Sequence, residues 1–129
     1  MIKTHVWFAT VIAVTAGCTD TMGPAIDGRW AARGIELVRT GGGPELRLPC
    51  ASPVRVPRWT RFDASGRIRF SGAVRQYWYG YDFVFAGQLR GDTLDATMTV
   101  NVPGQAPSVA SYLMTRDGDS ELGRIMCLA

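Results

Sequence analysis

The chain has 129 residues, 47% of them hydrophobic and 19% charged, with a formal net charge of +3. That balance belongs to a globular domain with one core and excludes a disordered chain. The single histidine, His5, precedes the first apolar run, so the rest of the chain can build neither a Ser-His-Asp nor a Cys-His arrangement, nor a histidine-based metal site.

The first element is an address. Lys3 and His5 form a short polar start, and residues 6–16 are an apolar run. This run has the length of a signal-peptide core and is too short to cross a bilayer as a permanent helix. It ends in Thr15-Ala16-Gly17-Cys18. Small residues before a cysteine resemble the lipobox of bacterial lipoproteins, with Thr15 standing where that family usually has Leu. The resemblance implies that residues 1–17 are a signal peptide, cut before Cys18, which becomes the lipid-modified first residue. Thr19, rather than Asp, then follows the lipid. By that family's sorting tendency, this implies a cell-envelope protein anchored in the outer membrane and facing the periplasm. Residues 18–27 read as a polar tether, and residues 28–129 as one domain.

With Cys18 carrying lipid, Cys50 and Cys127 remain and can pair in an oxidising compartment. The alternative is two buried free thiols. A bridge would close a long loop, which the chain-entropy view values at about 4 kcal/mol.

The domain then reads as a series of short strands. Ile35 and Leu37 alternate with Glu36, and residues 40–44 (TGGGP) read as a flexible loop. No Gly-Lys-Ser/Thr follows it, so it is not a phosphate-binding loop. Leu46 and Leu48 suit a short strand. Pro53 and Pro57 make residues 54–62 an edge or irregular strand. A turn at Asp63-Ala64-Ser65-Gly66 leads into residues 67–71. There Ile68 and Phe70 face one way and Arg67 and Arg69 the other, predicting a hairpin with the strand before it.

Residues 76–89 (QYWYGYDFVFAGQL) carry Tyr77, Tyr79, Tyr81, Phe83 and Phe85 at every second position. This period of two predicts a half-buried strand, either one long strand or a turn at Trp78-Tyr79-Gly80 followed by a strand from Tyr81. A turn at Arg90-Gly91-Asp92 follows. In residues 93–100, Leu94, Ala96, Met98 and Val100 face in. Residues 103–107 form a loop, and Ala110, Tyr112 and Met114 are the inner face of the strand after it. A turn over residues 117–120 and a last strand over 124–128, carrying Cys127, close the series. About eight short strands without helical periodicity predict an all-β domain, a small antiparallel up-and-down barrel or a sandwich.

Gly28-Arg29-Trp30 at the start of such a domain resembles the Gly-x-Trp of lipocalins and their calycin relatives. The resemblance implies a β-barrel in which Trp30 plugs one end and an arginine from a late strand packs over it. Arg116 is the first candidate and Arg124 the second. It also implies a small apolar or amphipathic ligand, so Trp30, Tyr77, Tyr79, Tyr81, Phe83 and Phe85 are the candidate ligand-binding residues. Tyrosine suits this role, having an apolar face and a polar tip.

Charge offers a different reading. Arg55, Arg61, Arg67, Arg69 and Arg75 lie in a stretch where Asp63 is the lone acid. They can form a basic face that docks an envelope protein or an anionic surface, or keep the surface soluble and discourage edge pairing. Nucleic acid is not an expected partner outside the cell. No carboxylate spacing argues for catalysis, and Asp117, Asp119 and Glu121 lack the rest of a calcium motif. The expectation is therefore a non-enzymatic protein without a cofactor. It is either a ligand carrier with a hollow barrel or an interaction protein with a filled one.

Overall fold

The computed structural model describes residues 22–76 and 79–127, so Cys18, Tyr77 and the side chain of Tyr79 lie outside the described residues. Among the described residues ten strands follow one another: β1 (Met22–Ala25), β2 (Arg29–Ala32), β3 (Ile35–Thr40), β4 (Gly43–Arg47), β5 (Val54–Arg55), β6 (Arg61–Asp63), β7 (Arg67–Gln76), β8 (Tyr79–Arg90), β9 (Thr93–Asn101) and β10 (Ser108–Arg116). Eight form one antiparallel sheet in the order β5-β4-β3-β2-β10-β9-β8-β7. β1 and β6 form a separate two-stranded pair.

The sheet curls into a nearly closed barrel. Its end strands, β5 and β7, approach where Val54 lies beside Gly72. The pleat explains the interior. Ile68, Phe70 and Val74 of β7 are buried while Arg67, Arg69 and Arg75 are exposed. Leu94, Ala96 and Met98 of β9 and Met114 of β10 face the same core. Register joins these rows: Phe70 pairs with Phe85, which pairs in turn with Met98. The Phe70 and Phe85 rings stack with centroids 4.8 Å apart, and Phe83 meets Phe70 edge-on at 6.3 Å. Such contacts add to the burial of large aromatic surfaces. Tight turns link the strands where glycine accepts a positive φ, as at Gly34 between β2 and β3 and Gly91 between β8 and β9.

Several local expectations are corrected. The fold begins before Gly28: β1 pairs with β6, and Ile26 is completely buried, so the latter part of the expected tether 18–27 belongs to the folded domain. β6 and β7 do not pair as a hairpin, because β6 is bonded to β1 and β7 to β8. The irregular stretch is split by a turn in which the amide of Thr60 donates to the Pro57 carbonyl, 3.0 Å. Residues 41–42 are a tight hairpin turn, with Thr40 opposite Gly43 and Pro44 already in β4. The aromatic stretch resolves into the end of one hairpin arm and the start of the next, with Gln76 opposite Tyr79. Among the described residues the expected last strand is not formed: Leu122–Arg124 is a short 3-10 turn and residues 125–127 are irregular.

The C-terminal segment instead folds back along β2 and β3. Gly34 donates its amide to the Ser120 carbonyl at 2.8 Å, and Asp117 donates to the Arg29 carbonyl at 2.9 Å. The Cys50–Cys127 disulfide, with Cα atoms 5.3 Å apart, ties this segment to the chain leaving β4.

Candidate functional site

A cavity of about 240 Å³ lies where the β2–β3 turn, the chain just after β4 and the barrel wall converge. Arg33 and Gly34 come from the β2–β3 turn, and Leu48 and Pro49 from the chain just after β4. Tyr81 of β8, Met98 and Val100 of β9 and Tyr112 of β10 complete the lining. Alternation places these residues. Tyr81 shares the inward parity of Phe83 and Phe85, Met98 and Val100 that of Leu94, and Tyr112 that of Met114.

The lining is apolar in body and polar in a few places, which is the pattern of small-molecule sites. Its volume falls just below the roughly 300–1,000 Å³ of pockets for drug-sized ligands. The Tyr112 hydroxyl has no hydrogen-bond partner among the described residues. Arg33 stands at the rim with its side chain 86% exposed, and its Nε lies 3.1 Å from Glu121 Oε2. Glu121 Oε1 also lies 3.9 Å from Arg124, which pairs with Asp119.

The expected ligand-binding residues separate into groups. Tyr81 lines the cavity. Trp30, Phe83 and Phe85 are at most 2% exposed and pack inside the core, outside the cavity lining. Tyr77 and the Tyr79 side chain lie outside the described residues. Arg116 is the residue over Trp30, with its guanidinium carbon 4.8 Å from the ring centroid. Arg124 instead pairs with Asp119.

Sequence reasoning did not single out Arg33, Leu48, Met98, Val100 or Tyr112 as a site. Most of these were legible as inward positions, but no pattern in the chain shows that they leave space unfilled.

The arginines are distributed along β5, β6 and β7. Arg67, Arg69 and Arg75 occupy one outward row of β7, while Arg55 and Arg61 are exposed on β5 and β6. Arg67 donates from Nε to Gln88 Oε1 at 3.2 Å. Arg55, Arg61, Arg69 and Arg75 have no ion-pair or hydrogen-bond partner among the described side chains.

A separate charged cluster was not anticipated. Glu36, only 8% exposed, lies 2.8 Å from Arg29 Nε and 3.8 Å from Arg47. Arg29 also donates to the Gly118 carbonyl. This cluster fastens the turn after β10 to the outer face of β2 and β3. Its charges satisfy one another, as buried polar groups must.

Two carboxylates of residues 117–121, those of Asp119 and Glu121, are likewise engaged. Asp119 accepts the Glu121 amide at 2.9 Å and pairs with Arg124. The amide bond and then the arginine hold its carboxyl below the ordinary range. Comparison with protein-family models, with characterised proteins and with solved structures found no match for this chain.

Proposed function

We propose that this protein is a lipid-anchored binding protein of the bacterial envelope, without enzymatic activity, and that it holds a small apolar or amphipathic ligand at the barrel end lined by Tyr81 and Tyr112. One observation carries the reading: the cavity is lined by two tyrosines together with Leu48, Met98 and Val100, beside a cluster of buried aromatic and aliphatic side chains. The lipid anchor rests on Ala16-Gly17-Cys18 alone.

Native mass spectrometry of protein purified from the periplasm as a Cys18→Ser variant tests the carrier reading. An amphiphile that co-purifies and is lost in Tyr112→Trp, which fills the cavity, is the expected result. A protein that carries nothing and binds no added amphiphile would overturn it. Metabolic labelling with a fatty-acid analogue tests the anchor, with label on the native chain and none on Cys18→Ser.

A second reading has its own observation. The outward arginines Arg69 and Arg75 lack internal partners among the described residues, and unpaired cations are available to an anionic surface. Under this reading, binding to vesicles containing phosphatidylglycerol falls steeply with salt and is lost in Arg67→Ser/Arg69→Ser/Arg75→Ser. Binding that ignores both salt and these changes would remove it.

A further inference from the structure

We infer that the ligand of the end cavity is anionic, that Arg33 takes its charged group, and that Glu121 is a built-in competitor which the ligand displaces. The inference rests on the carrier reading above and specifies its ligand chemistry.

Three observations lead there. First, Arg33 is the cation of the cavity lining, and it sits at the rim rather than among the apolar residues. A ligand with its apolar part between Leu48, Met98 and Val100 would therefore bring its polar end to a guanidinium. Such a group recognises a carboxylate through paired N–H donors.

Second, a carboxylate already occupies that place. Glu121 lies 3.1 Å from Arg33 Nε, in a pair whose arginine side is almost fully exposed. Exposed pairs of this kind contribute little and exchange readily. Glu121 would not be stranded on leaving, because Arg124 stands 3.9 Å from its other oxygen.

Third, the segment bearing Glu121 is held in place by bonds that do not involve its side chain. Gly34 donates to the Ser120 carbonyl, Asp119 accepts the Glu121 amide, and the disulfide at Cys127 fixes the end of the segment. The Glu121 side chain can thus swing away while the backbone stays. Glu121 itself has a positive φ of 56° without being glycine, so its direction is set by a defined turn. The Tyr112 hydroxyl, without a partner among the described residues, is a further hydrogen-bonding group in the cavity lining.

The test uses the full chain in phosphatidylcholine nanodiscs, with methyl-labelled methionine. The Met98 methyl, assigned by Met98→Leu, reports occupancy of the cavity. Hexanoate is titrated against 1-hexanol, which has the same apolar chain and no charge. Hexanoate should shift the Met98 signal at lower concentration than hexanol. Arg33→Gln should weaken hexanoate roughly fivefold, the scale of an exposed ion pair. Glu121→Gln should strengthen hexanoate by a similar factor, and neither variant should alter hexanol binding or thermal unfolding by much. If hexanol binds as well as hexanoate and both variants are without effect, the anionic ligand is overturned and the carrier reading stands. If neither compound moves Met98, both fall.

Discussion

The guanidinium of Arg116 lies across the indole of Trp30, 4.8 Å from the ring centroid, and the two residues are register partners across β10 and β2. The arrangement closes one end of the core, because Trp30 is 2% exposed while Arg116 keeps half of its side chain in water beside Asp27. A cation held over an indole at a partly exposed site is worth about 0.5–1 kcal/mol, and its stem adds packing. Arg116→Ala should therefore cost about 1 kcal/mol in urea unfolding, against roughly 3–5 kcal/mol for Trp30→Ala. The double variant should cost less than the sum of the two, since each single change removes the shared contact. Strict additivity would mean that the stacking contributes nothing.

The bridge from Cys50 to Cys127 spans a sequence separation of 77 residues. Closing so long a loop restricts the unfolded chain, and the loop-entropy account assigns about 4 kcal/mol to it. That is a large share of the stability of a domain this size. The Cys50→Ser/Cys127→Ser variant should unfold at a much lower urea concentration than the oxidised protein. Loss should begin in the segment after β10, which hydrogen exchange at the Gly34 amide would register, since that amide is bonded to Ser120. An unchanged midpoint would show that the segment docks without its covalent tie.

Much of the barrel was legible because its strands alternate cleanly. Leu94, Ala96 and Met98 are buried, Asp95 and Thr97 are exposed, and Ala110, Tyr112 and Met114 are the more buried side of β10. A period of two reports a face directly. Strand pairing is different, because it depends on partners distant in sequence. β1 is only four residues long and contains Gly23 and Pro24, so it reads as a tether until β6 is placed beside it. The terminal run around Cys127 is too short to show a period, and the segment leading into it turns locally, with the Arg124 and Ile125 amides donating to the Glu121 and Leu122 carbonyls. The candidate site was hidden for a further reason. Tyr81 and Tyr112 have the same inward parity as Phe85 and Met114, and whether an inward residue meets another side chain or empty space is decided by packing across the barrel.

Gly72 stands at the seam of the barrel, where β7 faces β5. A Cβ there would come within 3.0 Å of Cζ of Phe83 and 3.2 Å of Cγ1 of Val54. The ring is buried among the core residues and the valine is fixed by its strand, so neither can retreat far. Adding atoms to a packed core typically costs about 1–3 kcal/mol, and Gly72→Val should fall in that range with Gly72→Ala below it. Gly41→Ala is the control, because nothing lies within 4 Å of its added carbon. Equal unfolding midpoints for the two alanine variants would show that the seam is loose.

The carboxylate of Asp63 organises the turn into β7. One oxygen accepts the amides of Arg67 and Ser65, each at 2.9 Å, and the Ser65 hydroxyl at 2.7 Å. These bonds, the Arg67 amide foremost and then the Ser65 hydroxyl, favour the charged form and hold the carboxyl below its ordinary value of 3.8. A carboxyl with a depressed folded-state value binds its proton more readily in the unfolded chain. Its stabilising effect is therefore complete above the unfolded value and is lost as pH falls through the lower, folded one. Asp63→Asn keeps an acceptor oxygen but has no charge to lose. The stability difference between wild type and this variant should be constant from neutral pH to about pH 5, then shrink below about pH 4 as the wild-type carboxyl takes up its proton. Urea midpoints across that range measure it, and other acids such as Asp119 cancel because both proteins contain them. A gap that stays constant to the lowest pH would mean that the turn is held by geometry alone, and that the charge on Asp63 adds nothing to it.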